Sequence, residues 1–164
     1  MKRMHGIAMV ALVTLTSIVV SAQVKESSAW TFEHYSVVAD FYGTTAKPIL
    51  ATRYERSFRT EIQTQAAKGP NFAGHYTVAK WGCGAPCLSF VIVDARTGSV
   101  YNPGFPVACA DKNVVDSSVD FRLSSRLIVA TSISRAGVCG YNYYVWNGST
   151  LRLLHFEPWH ASSQ

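Results

Sequence analysis

The segment YTVAKWGCGAPCLSFVIVD, residues 76–94, contains two runs of β-prone residues separated by a loop with two cysteines. The runs 76–81 and 88–94 are rich in β-branched, aromatic and other apolar residues, a composition typical of strands. A turn-forming stretch, residues 96–98, follows, and a third β-prone run, residues 99–101, comes directly after it. The segment therefore predicts three consecutive strands joined by short connections.

A second set of strand signals follows with the same order and spacing. Residues 126–133, 141–146 and 151–156 are β-prone, and Asn147-Gly148 is a strong hairpin signal. In both sets a strand, a cysteine-bearing loop, a strand, a glycine-containing turn and a short strand succeed one another, which indicates a degenerate internal repeat. Such strands form an antiparallel meander resembling β-propeller blades, although two blades do not close a propeller.

One amphipathic helix is expected before the strands. Apolar residues recur every four positions from Ile49 to Ala66, and Pro48 suits a first helical turn, so the pattern predicts a helix over about residues 49–67. Residues 30–42, which are aromatic and β-branched, predict one or two further strands. The expected fold class is α+β, mostly antiparallel β meander, with the one helix packed against the sheet.

The four cysteines, Cys83, Cys87, Cys109 and Cys139, allow three disulfide pairings. The turn-forming insert at 84–86 favours Cys83 with Cys87, which leaves Cys109 with Cys139. The second bridge would close a loop of about 30 residues and restrict the unfolded chain by roughly 3 to 4 kcal/mol. Pairing of Cys87 with Cys139 stays open as an alternative, because these two cysteines hold similar places in the repeat.

The amino terminus has the pattern of a cleavable export signal. Lys2 and Arg3 precede an apolar run, residues 7–20, that contains no charged residue and ends among small residues. Cleavage after residue 22 is expected to leave residues 23–164 as a single compact, disulfide-stabilised domain. The run is short for a bilayer span, so a retained anchor is the less favoured alternative. We therefore expect a periplasmic or secreted protein with no membrane span after signal cleavage.

Loss of Lys2 and Arg3 lowers the formal net charge from +5 to +3. The mature domain is then only mildly basic, far from the dense Lys/Arg footprint of nucleic-acid-binding proteins, so nucleic acid is not an expected partner. Arg53, Arg56 and Arg59 lie opposite the apolar stripe of the predicted helix and form a basic ridge. This ridge either meets an anionic partner or is ordinary solvated surface.

The segments NFAGHY (71–76) and WGCGAPC (81–87), followed by VDARTG (93–98), resemble those of a group of uncharacterised small secreted bacterial proteins. The resemblance covers roughly residues 56–101, and its most specific part is the pairing of NFAGHY with the WGCGxxC loop. It implies export and a compact β domain preceded by a helix. It implies no reaction, ligand or cofactor.

The cysteine loop is the first candidate binding site. Its glycines allow backbone angles closed to other residues, and constrained loops often carry function, so Trp81, Gly82 and Gly84 are its candidate contact residues. The alternative is a disulfide-clamped turn whose glycines serve geometry alone.

The aromatic strand 141–146 is the second candidate. Alternation along a strand places Tyr141 and Tyr143 on one face and Tyr144 and Trp146 on the other. We expect one pair in the core and assign Tyr144 and Trp146 to a surface patch for protein or glycan partners, unless both faces are buried.

Metal handling is an alternative for the cysteine loop, since His75, Cys83 and Cys87 are ligand types suited to a thiophilic ion. An oxidising compartment favours a disulfide instead, so no metal or other cofactor is expected. A hydrolase is a further alternative that would need Asp94 close to His75 and a serine. However, the chain has no Gly-x-Ser-x-Gly elbow, and its acidic residues form no closely spaced pair suited to acid–base catalysis.

Taken together, compartment, size and charge favour a non-catalytic binding or inhibitory module of the cell envelope. Its expected partner is an extracytoplasmic protein or a cell-wall component. A lysozyme is one example, because a basic domain that presents a loop suits an acidic catalytic cleft.

Overall fold

The structure is a computed structural model that describes residues 29–111 and 114–159. The predicted signal peptide, residues 1–22, and its cleavage site lie outside these ranges. The described part contains two short helices, α1 (Arg53–Ser57) and α2 (Arg59–Ala66), followed by strands. The strands are β1 (Tyr76–Gly84), β2 (Cys87–Asp94), β3 (Val100–Tyr101), β4 (Cys109–Asp111), β5 (Val114–Asp116), β6 (Val119–Phe121), β7 (Leu127–Ile133), β8 (Cys139–Trp146) and β9 (Leu151–Pro158). Neither helix is long and apolar enough to cross a membrane.

The strands form two antiparallel meanders and a ribbon. The first meander has the order β1-β2-β3, the second has the order β6-β7-β8-β9, and β4 pairs with β5. The predicted α+β class, dominated by antiparallel β, is confirmed, and so are both predicted strand sets. A propeller is not confirmed, and β4, β5 and β6 were not predicted.

The helix and the two meanders stack as three layers. Phe90 and Ile92 of β2 face the second meander, where Ile128 of β7 and Trp146 of β8 complete one buried cluster. The alternate residues of β2 face α2 and pack with Ile62 in a second cluster. Because β2 is covered on both faces, its apolar run is continuous rather than alternating.

The predicted continuous helix over residues 49–67 is wrong in its start and its continuity. Helix α1 begins after Thr52, whose hydroxyl accepts a hydrogen bond from the Glu55 backbone N–H while the Glu55 carboxylate accepts one from the Thr52 N–H. This capping box fixes the helix start at that point. Ile49 is tied instead to the first meander by a hydrogen bond from its N–H to the Gly98 carbonyl. Phe58 leaves helical geometry (φ −111°, ψ 26°) and separates α1 from α2.

The predicted strands within residues 30–42 do not form. This segment makes one isolated bridge, between Ser36 and Ser125, and hydrogen bonds from the Val37 N–H to the Ser124 carbonyl and from the Arg126 N–H to the Tyr35 carbonyl. Its residues have strand-like composition, but they contact a loop rather than a strand edge. The segment therefore lies as a strap across the start of β7.

Side-chain amides protect the free edge of β1. The Asn71 amide both accepts from the Val78 N–H and donates to the Val78 carbonyl, and the Gln65 amide does the same for Lys80. Each amide imitates one residue of a neighbouring strand. An open edge would invite another strand to pair, so these contacts limit association at β1.

Both favoured disulfides form, Cys83 with Cys87 and Cys109 with Cys139, with Cα–Cα distances of 5.0 and 5.7 Å. Cys87 and Cys139 do begin equivalent eight-residue strands, β2 and β8. They lie in different sheets, however, and the alternative bridge between them is not formed. The second disulfide ties the β4–β5 ribbon to the second meander.

Candidate functional site

The β1–β2 hairpin ends in an exposed, covalently clamped tip. Gly82, Cys83, Gly84 and Ala85 are exposed, whereas Trp81 just before them is only 8% exposed. The strand register shifts between Gly82 and Gly84, and the disulfide closes the shifted segment. The hairpin therefore protrudes as a constrained loop, as the glycine spacing predicts.

A groove of about 490 Å³ lies beside this tip, and we call it the hairpin groove. It lies between α1, the disulfide and the loop that follows β3. Its lining residues are Tyr54, Cys83, Cys87, Ser89, Phe90, Asn102, Gly104, Phe105 and Pro106.

Two aromatic side chains from different parts of the chain line the hairpin groove. Tyr54, which is 38% exposed, packs against Phe58 and Trp81 with ring centroids 5.0 and 6.2 Å apart. Phe105 stacks on Tyr144 at 5.3 Å. Both rings are held from behind by other rings, so they can meet a ligand without first being ordered.

A hydrogen bond shapes the loop that carries Phe105. The Asn102 side-chain oxygen accepts a hydrogen bond of 2.9 Å from the Gly104 N–H, which fixes the turn that presents Phe105. Apart from the Tyr54 phenol, the described lining residues carry no ionisable group. The hairpin groove therefore favours burial and hydrogen bonding of a ligand over acid–base chemistry.

The predicted contact role of Trp81 needs correction. Its ring is buried and stacks on Phe58 at 4.8 Å, in the cluster between α2 and the first meander. Gly82 and Gly84, by contrast, are exposed at the hairpin tip. The loop thus keeps its glycines as surface, while the tryptophan anchors it to the core.

The predicted aromatic patch of Tyr144 and Trp146 is on the wrong face of β8. Trp146 is 2% exposed and packs between Tyr76 and Tyr101, with centroids 5.3 and 5.1 Å away. Tyr144 is half-buried against the same cluster. Alternation correctly places Tyr144 and Trp146 on the face of β8 opposite to Tyr143, but their face is the one that packs in the core.

The opposite face of β8 carries the more accessible aromatic residues. Tyr143 is half-buried, packs at 5.9 Å from His155, and donates a hydrogen bond to the Glu157 carboxylate. Burial, followed by this hydrogen bond and the negative charge of Glu157, raises the pKa of Tyr143 to about 12. Trp30 stacks on the His155 ring at 5.6 Å and covers part of this face.

The residues of the metal alternative are not brought together. His75 precedes β1 and Cys83 lies near its far end, so eight residues of extended strand, roughly 26 Å, separate them. Cys83 and Cys87 are bonded to each other rather than available as thiolates. Within residues 29–111 and 114–159, no cluster of three or more metal-ligating side chains occurs.

His75 pairs with a different carboxylate from the one expected for a hydrolase. Its Nδ1 lies 3.0 Å from Asp40 Oδ1, and Arg96 donates to the other Asp40 oxygen. Burial raises the pKa of Asp40, but the hydrogen bonds from Arg96 and His75 outweigh it and hold this pKa below its usual range. Asp94 instead accepts from the backbone of Arg96 and Thr97 in the turn after β2.

Sequence reasoning missed most of the hairpin groove, namely Tyr54, Ser89, Asn102 and Phe105. The available signal was the run Asn102-Pro103-Gly104, a turn that presents an aromatic residue directly afterwards. Comparison of the chain with known protein families, curated proteins and solved structures finds no match. The case for function therefore depends on the geometry of this chain alone.

Proposed function

We propose that the mature chain is an exported, non-catalytic binding module that holds a protein partner in the hairpin groove. The observation that carries this proposal is the position of the groove. An exposed, disulfide-clamped tip stands beside a concave, aromatic-walled surface, and rigid anchor sites with aromatic walls are where protein interfaces concentrate binding energy.

The chemistry of the groove supports a protein partner. Tyr54 and Phe105 offer apolar ring surface, while the Ser89 hydroxyl and the Asn102 amide offer hydrogen bonds. A partner side chain that packs against these rings would lose water from its apolar atoms and keep its polar ones paired.

The charge around the groove favours an acidic partner. Arg53 is exposed on α1 directly before Tyr54, Arg59 is exposed at the start of α2, and the mature chain has a formal charge of +3. Opposite charge on a partner would speed association and help select it. We propose an inhibitory role toward an extracytoplasmic enzyme with an acidic catalytic cleft, of which a lysozyme is the first to test.

The experiment compares wild type with Tyr54→Ser and the matched control Tyr42→Ser, because Tyr42 is 92% exposed and away from the groove. Each protein is titrated into a lysozyme assay on suspended peptidoglycan and used for affinity capture from envelope extracts. The proposal is supported if partner binding or lysozyme inhibition is about tenfold weaker with Tyr54→Ser and unchanged with Tyr42→Ser. Equal behaviour of the two variants contradicts the groove as the binding surface.

A further inference from the structure

The second meander ends in a strand with a free backbone edge. In the order β6-β7-β8-β9, no other strand of the described residues lies beyond β9, and we call its outer side the β9 edge. The free edge of β1 differs, because the amides of Asn71 and Gln65 pair with its backbone groups. An eight-residue edge without such cover is a template for another strand.

Phe156 directs its backbone groups to the β9 edge. Just beyond the β8–β9 ladder, the Trp159 N–H donates a 2.9 Å hydrogen bond to the Cys139 carbonyl. Bonded and non-bonded positions alternate along an antiparallel ladder, so Pro158 and Phe156 point away from β8. Pro158 agrees with this assignment, because proline has no N–H and is tolerated where that group would face outward.

Leu153 directs its backbone groups to the same edge. At this end of β9 the Leu151 N–H donates to the Tyr101 hydroxyl at 3.4 Å rather than to β8, so Leu151 and, two positions later, Leu153 point outward. A bulge at Leu154 shifts the register and makes Leu153 and Phe156 consecutive outward positions. Within residues 29–111 and 114–159, nothing pairs with the outward backbone groups of these two residues.

The side chains of β9 carry opposite charges at its two ends. Arg152 and Glu157 are exposed and lie on the face of the sheet that carries Tyr143. Neither forms an ion pair within the described part of the chain. Five residues of strand, roughly 17 Å, keep them from pairing with each other. Leu153, which is 51% exposed, lies on the opposite face.

We propose that the β9 edge pairs antiparallel with the β9 edge of a second copy of this chain. A twofold axis would then join the two four-stranded sheets into one sheet of eight strands. The register that sets Leu153 opposite Phe156 of the second copy matches outward backbone groups with outward backbone groups.

The charges select the same register independently. It sets Arg152 opposite Glu157 of the second copy, on one face and twice by symmetry, and opposite charges at facing positions stabilise a strand pair. On the other face it sets the exposed Leu153 beside an aromatic side chain, which removes apolar surface from water. Backbone direction and charge therefore agree on one pairing with a second copy.

The proposed dimer is weak and reversible, because two short strands bury less surface than a standard protein interface. It is also separate from the hairpin groove, since none of the described residues that line the groove belongs to β9. The proposal therefore does not depend on the function proposed for the groove.

The test is sedimentation velocity of the exported protein from about 5 µM to about 1 mM, where the average mass should rise toward that of a dimer. Arg152→Glu should weaken dimerisation by about tenfold or more, because it replaces both attractions with repulsions. The double variant Arg152→Glu/Glu157→Arg exchanges the charges and should restore the dimer. Arg135→Glu makes the same charge change in the exposed β7–β8 turn and should leave dimerisation unchanged.

A monomer at every concentration would overturn the proposal. Equal effects of Arg152→Glu and Arg135→Glu would also overturn it, as would a double variant that unfolds in urea like wild type but does not dimerise. Hydrogen exchange of the Leu153 and Phe156 amides distinguishes a second copy from cover by the same chain. We expect protection that increases with protein concentration, whereas protection independent of concentration would contradict the proposal.

Discussion

Removal of the Cys109–Cys139 disulfide should destabilise the domain about twice as much as removal of Cys83–Cys87. The bridges span 30 and 4 residues, for which restriction of the unfolded chain gives about 3.6 and about 1.9 kcal/mol. Burial adds to the difference. Cys109 and Cys139 are 1% and 4% exposed, so their removal also leaves a cavity, whereas Cys83 is exposed.

The assay is urea unfolding of two double variants, Cys109→Ala/Cys139→Ala and Cys83→Ala/Cys87→Ala, followed by tryptophan fluorescence. Linear extrapolation gives the free energy of unfolding in water for each variant and for wild type. We expect the first variant to lose at least about 1.7 kcal/mol more than the second, the difference that loop length alone gives. Equal losses, or a larger loss from the hairpin bridge, would refute the reasoning that loop length and burial decide the contribution of each bridge.

Three further predictions concern single side chains. Gly98→Ala should lower the free energy of unfolding by about 1 to 3 kcal/mol more than Gly137→Ala, as measured by urea unfolding. Both glycines have φ near +80°, but only the methyl added at Gly98 would collide with a backbone carbonyl, that of Lys47. Equal losses of stability would contradict this reason. Asn71→Ala should lower the free energy of unfolding by about 2 kcal/mol more than Gln65→Ala, because Asn71 pairs the buried backbone of Val78 and Gln65 pairs the exposed backbone of Lys80. Thermal unfolding of both variants tests this, and equal stability would count against it. Folding raises the pKa of Tyr143 from 10.0 to about 12, so the stabilisation from its protonated phenol should be complete below pH 10 and lost as the pH rises through about 12. An absorbance titration of wild type against Tyr143→Phe should show that this phenol ionises last. A midpoint near pH 10 would be inconsistent with the Glu157 contact.

The main strands could be predicted from the sequence because their signal is local. Strands β1, β2, β7, β8 and β9 each carry seven or more residues of β-prone composition bounded by turns. Strands β4 to β6 have three residues each, too few for alternation to be visible. They exist because a neighbour or a disulfide holds them, which is not a local property.

The errors at the helix and the strap have different origins. Thr52 and Glu55 have the spacing of a capping box and mark the helix start in the sequence. The prediction instead took Pro48 as the marker and so placed the start four residues too early. Residues 30–42 have strand composition without an available strand edge, and no local pattern reveals that absence.

The binding surfaces depend on contacts between distant parts of the chain. The hairpin tip could be predicted because glycine and cysteine spacing is local. The groove beside it requires Tyr54 to meet the loop that carries Phe105, about 50 residues later. The choice of buried face on β8 likewise depends on where the first meander packs, so Trp146 could not be assigned to the core from alternation alone.

The measurement that tests the account most directly is the intact mass of the protein isolated from the periplasm or medium, before and after alkylation under non-reducing conditions. We predict a chain that begins at Gln23, lacks two hydrogens for each of two disulfides, and takes up no alkylating reagent. A full-length cytosolic chain that is alkylated at four cysteines would contradict export, the clamped hairpin and the binding role proposed for it.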